Sequence, residues 1–110
     1  MGKFVKGDVV VLPFPFSDLS GSKRRPALVI ADLDGDDTIL CQITSVAKFD
    51  KYAVAIKSDS FISGSLSVDS YVRPNKIFTA DKKLILSVAG RLSEEKASEI
   101  ADSVIKIISK

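Results

Sequence analysis

The sequence predicts a mainly β fold closed by one C-terminal helix. Two observations carry this. Short runs rich in Val, Ile and Leu recur along the chain, each broken off by Gly, Pro, Asp or Ser. Only the last segment has a helical period: Ala97, Ile100, Ala101, Val104, Ile107 and Ile108 recur at three and four residues. Many short strands with one terminal helix describe a small, strongly bent sheet or barrel. At 110 residues the chain reads most simply as one domain, residues 1–110.

The elements follow in order. Gly7-Asp8 marks a turn, and residues 8–14 read as the first strand, ending at an edge or bulge because Pro13 and Pro15 interrupt it. Asp18, Ser20, Gly21, Ser22 and Lys23 are loop chemistry. Residues 27–33 read as a second strand with Arg24-Arg25-Pro26 at its mouth. The Asp34-Gly35-Asp36-Asp37 turn then joins it to a third strand over 38–45, giving a hairpin. Residues 52–56 read as a fourth strand, and the serine-rich 57–67 as a loop holding Phe61, Ile62 and Leu66. A fifth strand covers 70–73 and is stopped by Pro74; 84–92 is a further short apolar piece. Ser93 is the expected helix cap, with Glu94 and Glu95 at the positive end of the helix. Lys96 three residues on leaves the capping box incomplete.

Composition narrows the chemistry. A net charge of +2 is too small for binding of nucleic acid through the overall field, so such binding needs a local patch. The opening thirty residues supply one, with Lys3, Lys6, Lys23, Arg24 and Arg25 against Asp8 and Asp18. The chain has no histidine, which removes the usual neutral-pH acid or base and the commonest zinc ligand; neither a metal nor another cofactor is expected. The single Cys41 excludes an internal disulfide and, flanked by Ile39, Leu40 and Ile43, reads as a buried thiol. No apolar run reaches spanning length and none is of signal type, so the expected location is cytoplasmic, with no membrane partner.

The sequence of Gly7-Asp8-Val9-Val10, then Arg25-Pro26-Ala27-Leu28-Val29-Ile30 after a glycine-containing loop, resembles the MazF/PemK toxins of type II toxin–antitoxin systems. The resemblance continues through Gln42-Ile43-Thr44-Ser45, Val72-Arg73, Lys76-Ile77, Thr79 and Gly90-Arg91-Leu92-Ser93, and so covers most of the chain. It implies an SH3-like barrel, a homodimer, and a metal-independent endoribonuclease that cuts single-stranded RNA at short motifs. Such enzymes leave a 2′,3′-cyclic phosphate and a 5′-hydroxyl, and a cognate antitoxin protein blocks their groove. Under the resemblance, Arg25 matches the family's active-site arginine, Thr44 a threonine or serine ending the third strand, and Arg73 an arginine used by some members. Asn75 departs from the pattern, standing where relatives carry a carboxylate. The Leu12–Asp18 loop is also a variant, so cleavage specificity does not transfer.

The chemistry of RNA cleavage suits these residue types. RNA carries its own nucleophile, the 2′-hydroxyl, so alignment and charge stabilisation do much of the work without a metal. Arg25 suits a phosphate clamp, because guanidinium is a planar set of donors; Arg73 is a second clamp or a proton donor. Thr44 can hydrogen-bond the scissile phosphate or the 2′-hydroxyl. With Asn75 an amide, Asp18 is the alternative base. Phe14, Phe16, Phe49 and Tyr71 are candidate base-stacking surfaces, and Lys23, Arg24 and Lys76 candidate backbone contacts. Without the resemblance each residue has a plainer reading: a solvated cationic rim, strand and turn residues, and core phenylalanines. The competing functions are a catalytically weak or inactive module binding RNA or an antitoxin peptide, and an SH3-like peptide adaptor. The absence of tryptophan disfavours the adaptor.

Overall fold

The computed structural model describes residues 4–14, 23–47 and 50–110. Seven strands form one antiparallel sheet: β1 (Asp8–Phe14), β2 (Lys23–Asp32), β3 (Asp37–Thr44), β4 (Val54–Ile56), β5 (Phe61–Gly64), β6 (Ser70–Asp81) and β7 (Ser87–Leu92). Their order across the sheet is β4-β6-β3-β2-β1-β7-β5, and one helix, α1 (Glu94–Ile108), follows. Among the described residues no helix is long and apolar enough to cross a membrane.

Apolar alternation fixes the register. One face of the sheet carries Val9, Leu28, Cys41, Ile43 and Val72, packed under Ile100 and Val104 of α1. The other gathers Val10, Leu12, Phe14, Ala27, Val29, Leu40 and Ala80, with Phe4, Phe78 and Ile85 closing over them. A sheet apolar on both faces must curl or be covered on both, and here the helix covers one side. Ser93 caps α1 as expected, its Oγ accepting from the Lys96 N–H at 3.2 Å. The periodic residues Ala97, Ile100 and Val104 are buried, while Ile108, at the fraying end, is exposed. Cys41 is free and buried, and burial pushes its thiol up to about 12.

The structure differs from the sequence expectations at four places that shape the site. The second strand begins at Lys23, so Arg24, Arg25 and Pro26 lie inside it, paired with Pro13, Leu12 and Val11 of β1. Pro26 is tolerated because β3 is paired only as far as Ala27, which leaves an open flank. Pro74 does not end its strand. The β6 register against β3 jumps from Ile77 opposite Cys41 to Arg73 opposite Gln42, so residues 74–76 form a bulge. Pro74 is buried in that bulge, while Asn75 and Lys76 stand exposed on it. The fourth strand starts only at Val54, leaving 50–53 as a turn. The expected loop over 57–67 contains a short 3-10 turn, Ser58–Ser60, and the strand β5. That strand pairs with β7 because Gly90 admits it: a Cβ there would meet the Ser63 carbonyl oxygen at 2.6 Å.

Candidate functional site

The candidate residues converge at one end of three adjacent strands. Ala27 of β2 stands opposite Gln42 of β3, and Gln42 opposite Arg73 of β6. Residues directly opposite share a face, and so do residues two apart. Extending the β2–β3 register by two residues brings Arg25 level with Thr44, which is itself opposite Tyr71. Arg25, Gln42, Thr44, Tyr71 and Arg73 therefore share one face. With strands about 4.8 Å apart and a rise of about 3.3 Å per residue, the Cα atoms of Arg25 and Arg73 lie about 12 Å apart. Arg24 is on the opposite face from Arg25, so the cationic pair does not act as one unit.

The apolar cluster around Phe14 and Phe78 is the floor next to this polar end. Arg25 is half-buried, and its Nε is fully buried with no hydrogen-bond partner among the described residues. A buried donor left unpaired costs about 1–3 kcal/mol. The enclosed Nε is shut off from solvent, so an incoming anion can meet Arg25 only through the terminal nitrogens of its guanidinium.

Arg73 is anchored. Its Nε donates to Oδ2 of Asp50 at 2.6 Å, and the Asp50 side chain is only 8% exposed. Asp50 Oδ1 also accepts from the Tyr52 N–H at 3.0 Å. Burial works against the charge on Asp50, but the hydrogen bond from Arg73 and the backbone donors of Tyr52 and Ala53 outweigh it and hold the carboxyl below its usual value. The contact is made at the inner nitrogen, Nε. Asp50 was not among the candidates from sequence: within Phe49-Asp50-Lys51 it reads as an ordinary turn residue. Gln42 was quoted only for the resemblance, and its place between Ala27 and Arg73 emerges from the register.

Other candidates stand differently. Thr44 is at the site, but its Oγ1 donates to the Val46 carbonyl at 3.0 Å and accepts from the Val46 N–H at 3.1 Å. A phosphate has to compete with that turn for the hydroxyl proton. Phe14 is a correction. It is 3% exposed, packed edge-to-face on Phe78 with ring centroids 5.1 Å apart, and so is core instead of a base platform. Tyr71 is half-buried on the site face, while Lys23, Arg24, Asn75 and Lys76 are exposed. Phe16, Asp18 and Phe49 lie outside the described residues. No group of three or more His, Cys, Asp or Glu side chains among the described residues is arranged to hold a metal ion.

Two guanidinium groups on one face, one half-buried and one oriented by a carboxylate, form an arrangement for a phosphodiester or another extended anion. The family model described as PemK-like, MazF-like toxin of type II toxin–antitoxin systems matches residues 5–108. No curated protein matches the chain. Among solved structures, MazF from Deinococcus radiodurans is 19% identical with a TM-score of 0.77, all of each chain being covered. An endoribonuclease in complex with its cognate antitoxin from a mycobacterial species is 14% identical with a TM-score of 0.76, over 96% of this chain and 95% of that one. A MazE–MazF complex from Deinococcus radiodurans is 19% identical with a TM-score of 0.76, over 98% of each chain. At these identities the likeness is one of fold.

Proposed function

The chain belongs to the PemK-like, MazF-like toxins of type II toxin–antitoxin systems, and we propose that it is a cytoplasmic endoribonuclease that cuts single-stranded RNA without a metal. The carrying observation is that half-buried Arg25 shares one face with the Asp50-anchored Arg73.

In this reading the 2′-hydroxyl oxygen attacks the adjacent phosphorus as its proton leaves. The bond from phosphorus to the 5′-oxygen breaks, and that oxygen takes up a proton. The products are a 2′,3′-cyclic phosphate and a 5′-hydroxyl. Arg25 and Arg73 supply charge to the phosphoryl oxygens, which gain negative charge on the way to the transition state. Proton transfer by either is disfavoured, since a guanidinium group is effectively always protonated. Thr44 fixes the position of the phosphate or the 2′-hydroxyl. A homodimer and a cognate antitoxin complete the reading. Leu84, Leu86 and Val88, each about half exposed, give an apolar surface suited to an interface.

Asn75 favours a second reading, a module that binds RNA or an antitoxin peptide without cutting. An exposed amide stands where a base would be needed. One experiment separates the two: incubation of a long unstructured RNA in EDTA with wild type and Arg25→Ala, with end mapping. Cuts that wild type makes and Arg25→Ala loses, ending in cyclic phosphate, support the nuclease. An intact RNA pool at high protein concentration rejects it.

A further inference from the structure

The turn over 50–53 faces two ways. Asp50 reaches inward to Arg73. Two residues on, Tyr52 forms one wall of a cavity of about 330 Å³ at the β4 edge, closed on its other side by the last turn of α1. Its lining includes Lys51, Tyr52, Val54, Lys106, Ile107 and Lys110, and no carboxylate among the described residues. Lys110 Nζ donates to the Tyr52 hydroxyl at 2.8 Å, and Lys51 Nζ lies 5.4 Å from the ring centroid. The hydrogen bond from Lys110, then its charge and that of Lys51, hold the phenol below its usual value. In a chain of net charge +2, two ammonium groups meet one aromatic ring, and a third lysine, Lys106, lines the same cavity.

An apolar floor beside one aromatic ring suits a base, and lysines on a lining without a carboxylate side chain suit a phosphate. The volume lies within the range of sites for small ligands. One turn holds both Asp50, which anchors Arg73, and Tyr52, which lines the cavity at the β4 edge. We infer that this cavity is an accessory subsite holding one nucleotide of the RNA strand, its base against Tyr52 and its phosphate among Lys51, Lys106 and Lys110. The inference rests on the proposed nuclease reading for its ligand.

The test compares a short RNA that just spans the cut with the same RNA extended on both sides, each lacking the 2′-hydroxyl at the cut nucleotide, by fluorescence anisotropy. Wild type binds the extended RNA more tightly. Lys106→Gln with Lys110→Gln loses that advantage roughly tenfold and flattens the slope of log affinity against log salt by roughly 1.4. Lys106→Arg with Lys110→Arg restores both, which separates charge from a folding defect. Lys57→Gln with Lys83→Gln, removing two exposed lysines elsewhere, leaves the advantage in place.

A full length advantage in the Lys106/Lys110 variant, or an equal loss in the Lys57/Lys83 control, overturns the subsite. So does unchanged RNA binding with lost binding of an acidic peptide, which assigns the cavity to a protein partner. RNA that wild type leaves uncut but binds through the two lysines sinks the nuclease reading and keeps the subsite. Cutting with no length advantage does the reverse.

Discussion

Asp50 holds the Arg73 guanidinium by its inner nitrogen, 2.6 Å from Nε to Oδ2, and is itself held by the backbone of the following turn. The pairing converts a flexible surface arginine into a fixed one. Asp50→Asn keeps the shape and removes the charge that orients Arg73, and misplacing a positioned group by about 1 Å can cost about 100-fold in rate. The expected outcome is a fall in kcat of about that size, with a modest fall in melting temperature at neutral pH. The sign of the pH effect follows from the lowered pKa of Asp50. Its contribution to stability is fully present above the unfolded value of about 3.9 and is lost as pH falls through the lower folded value. Wild type and Asp50→Asn should therefore converge in stability only in strong acid, as read by acid titration of the folded fraction.

Arg25 presents the opposite case, a group whose burial costs stability. Its Nε is enclosed and has no acceptor among the described residues. Arg25→Met fills the same space with an unbranched apolar side chain and removes the unpaired donor. Cleavage is expected to fall about 10²–10³-fold, the usual loss for a single oxyanion-stabilising donor. The melting temperature should hold or rise, because the variant no longer bears an unpaired-donor cost of about 1–3 kcal/mol. A variant that is both inactive and clearly less stable would show that Arg25 is structural.

The fold was legible where local chemistry decides it. The alternating strands, the Asp34–Asp37 hairpin turn, the Ser93 cap and the buried face of α1 all follow from short-range pattern. Residue chemistry failed where a distant partner decides. Pro74 reads as a strand terminator, yet a bulge against β3 absorbs it and lets β6 run on to Asp81. Residues 61–64 read as loop because nothing in Phe61-Ile62-Ser63-Gly64 announces a partner; the partner is β7, admitted by Gly90. The same limit hid Asp50, which has meaning only once Arg73, twenty-three residues away, folds against it. Phe14 erred the other way, an aromatic beside a cationic loop that Phe78 claims for the core.

Asp8 gives a test of the frame independent of the site. The opening Gly-Asp reads as a turn, but the Asp8 side chain is buried, its Oδ2 accepting from the Val5 N–H at 3.0 Å and its Oδ1 from Arg91 Nε at 2.8 Å. Asp8→Ala leaves the part-buried Val5 N–H without its carboxylate partner and frees an arginine that is 47% exposed and can turn to water. A loss of about 2 kcal/mol in urea unfolding is expected, most of it from the charged hydrogen bonds and little from the screened ion pair.

Gly90→Ala should act on one strand pair. The added Cβ would stand 2.6 Å from the Ser63 carbonyl oxygen and 2.9 Å from Phe61 Cδ2, so β5 must move away from β7. Overpacking of this kind costs about 1–3 kcal/mol. Amide exchange should accelerate at residues 61–64 well before it does at the central strands β2 and β3. Equal acceleration across the sheet would mean that β5 is not a separable edge.

Asn75 decides how the departure from the family pattern is to be understood. It stands exposed on the bulge two residues after Arg73, close enough in chain to share the anchored segment. Asn75→Asp places a carboxylate there without changing size. A base works only when deprotonated, so the rate of the variant should rise as pH passes upward through the usual aspartate value of about 3.9, and exceed that of wild type at neutral pH. A higher plateau with this new acidic limb would show that proton removal limits the wild-type chain. An unchanged pH–rate profile would mean that alignment and charge from Arg25 and Arg73 carry the reaction, and that the amide costs nothing.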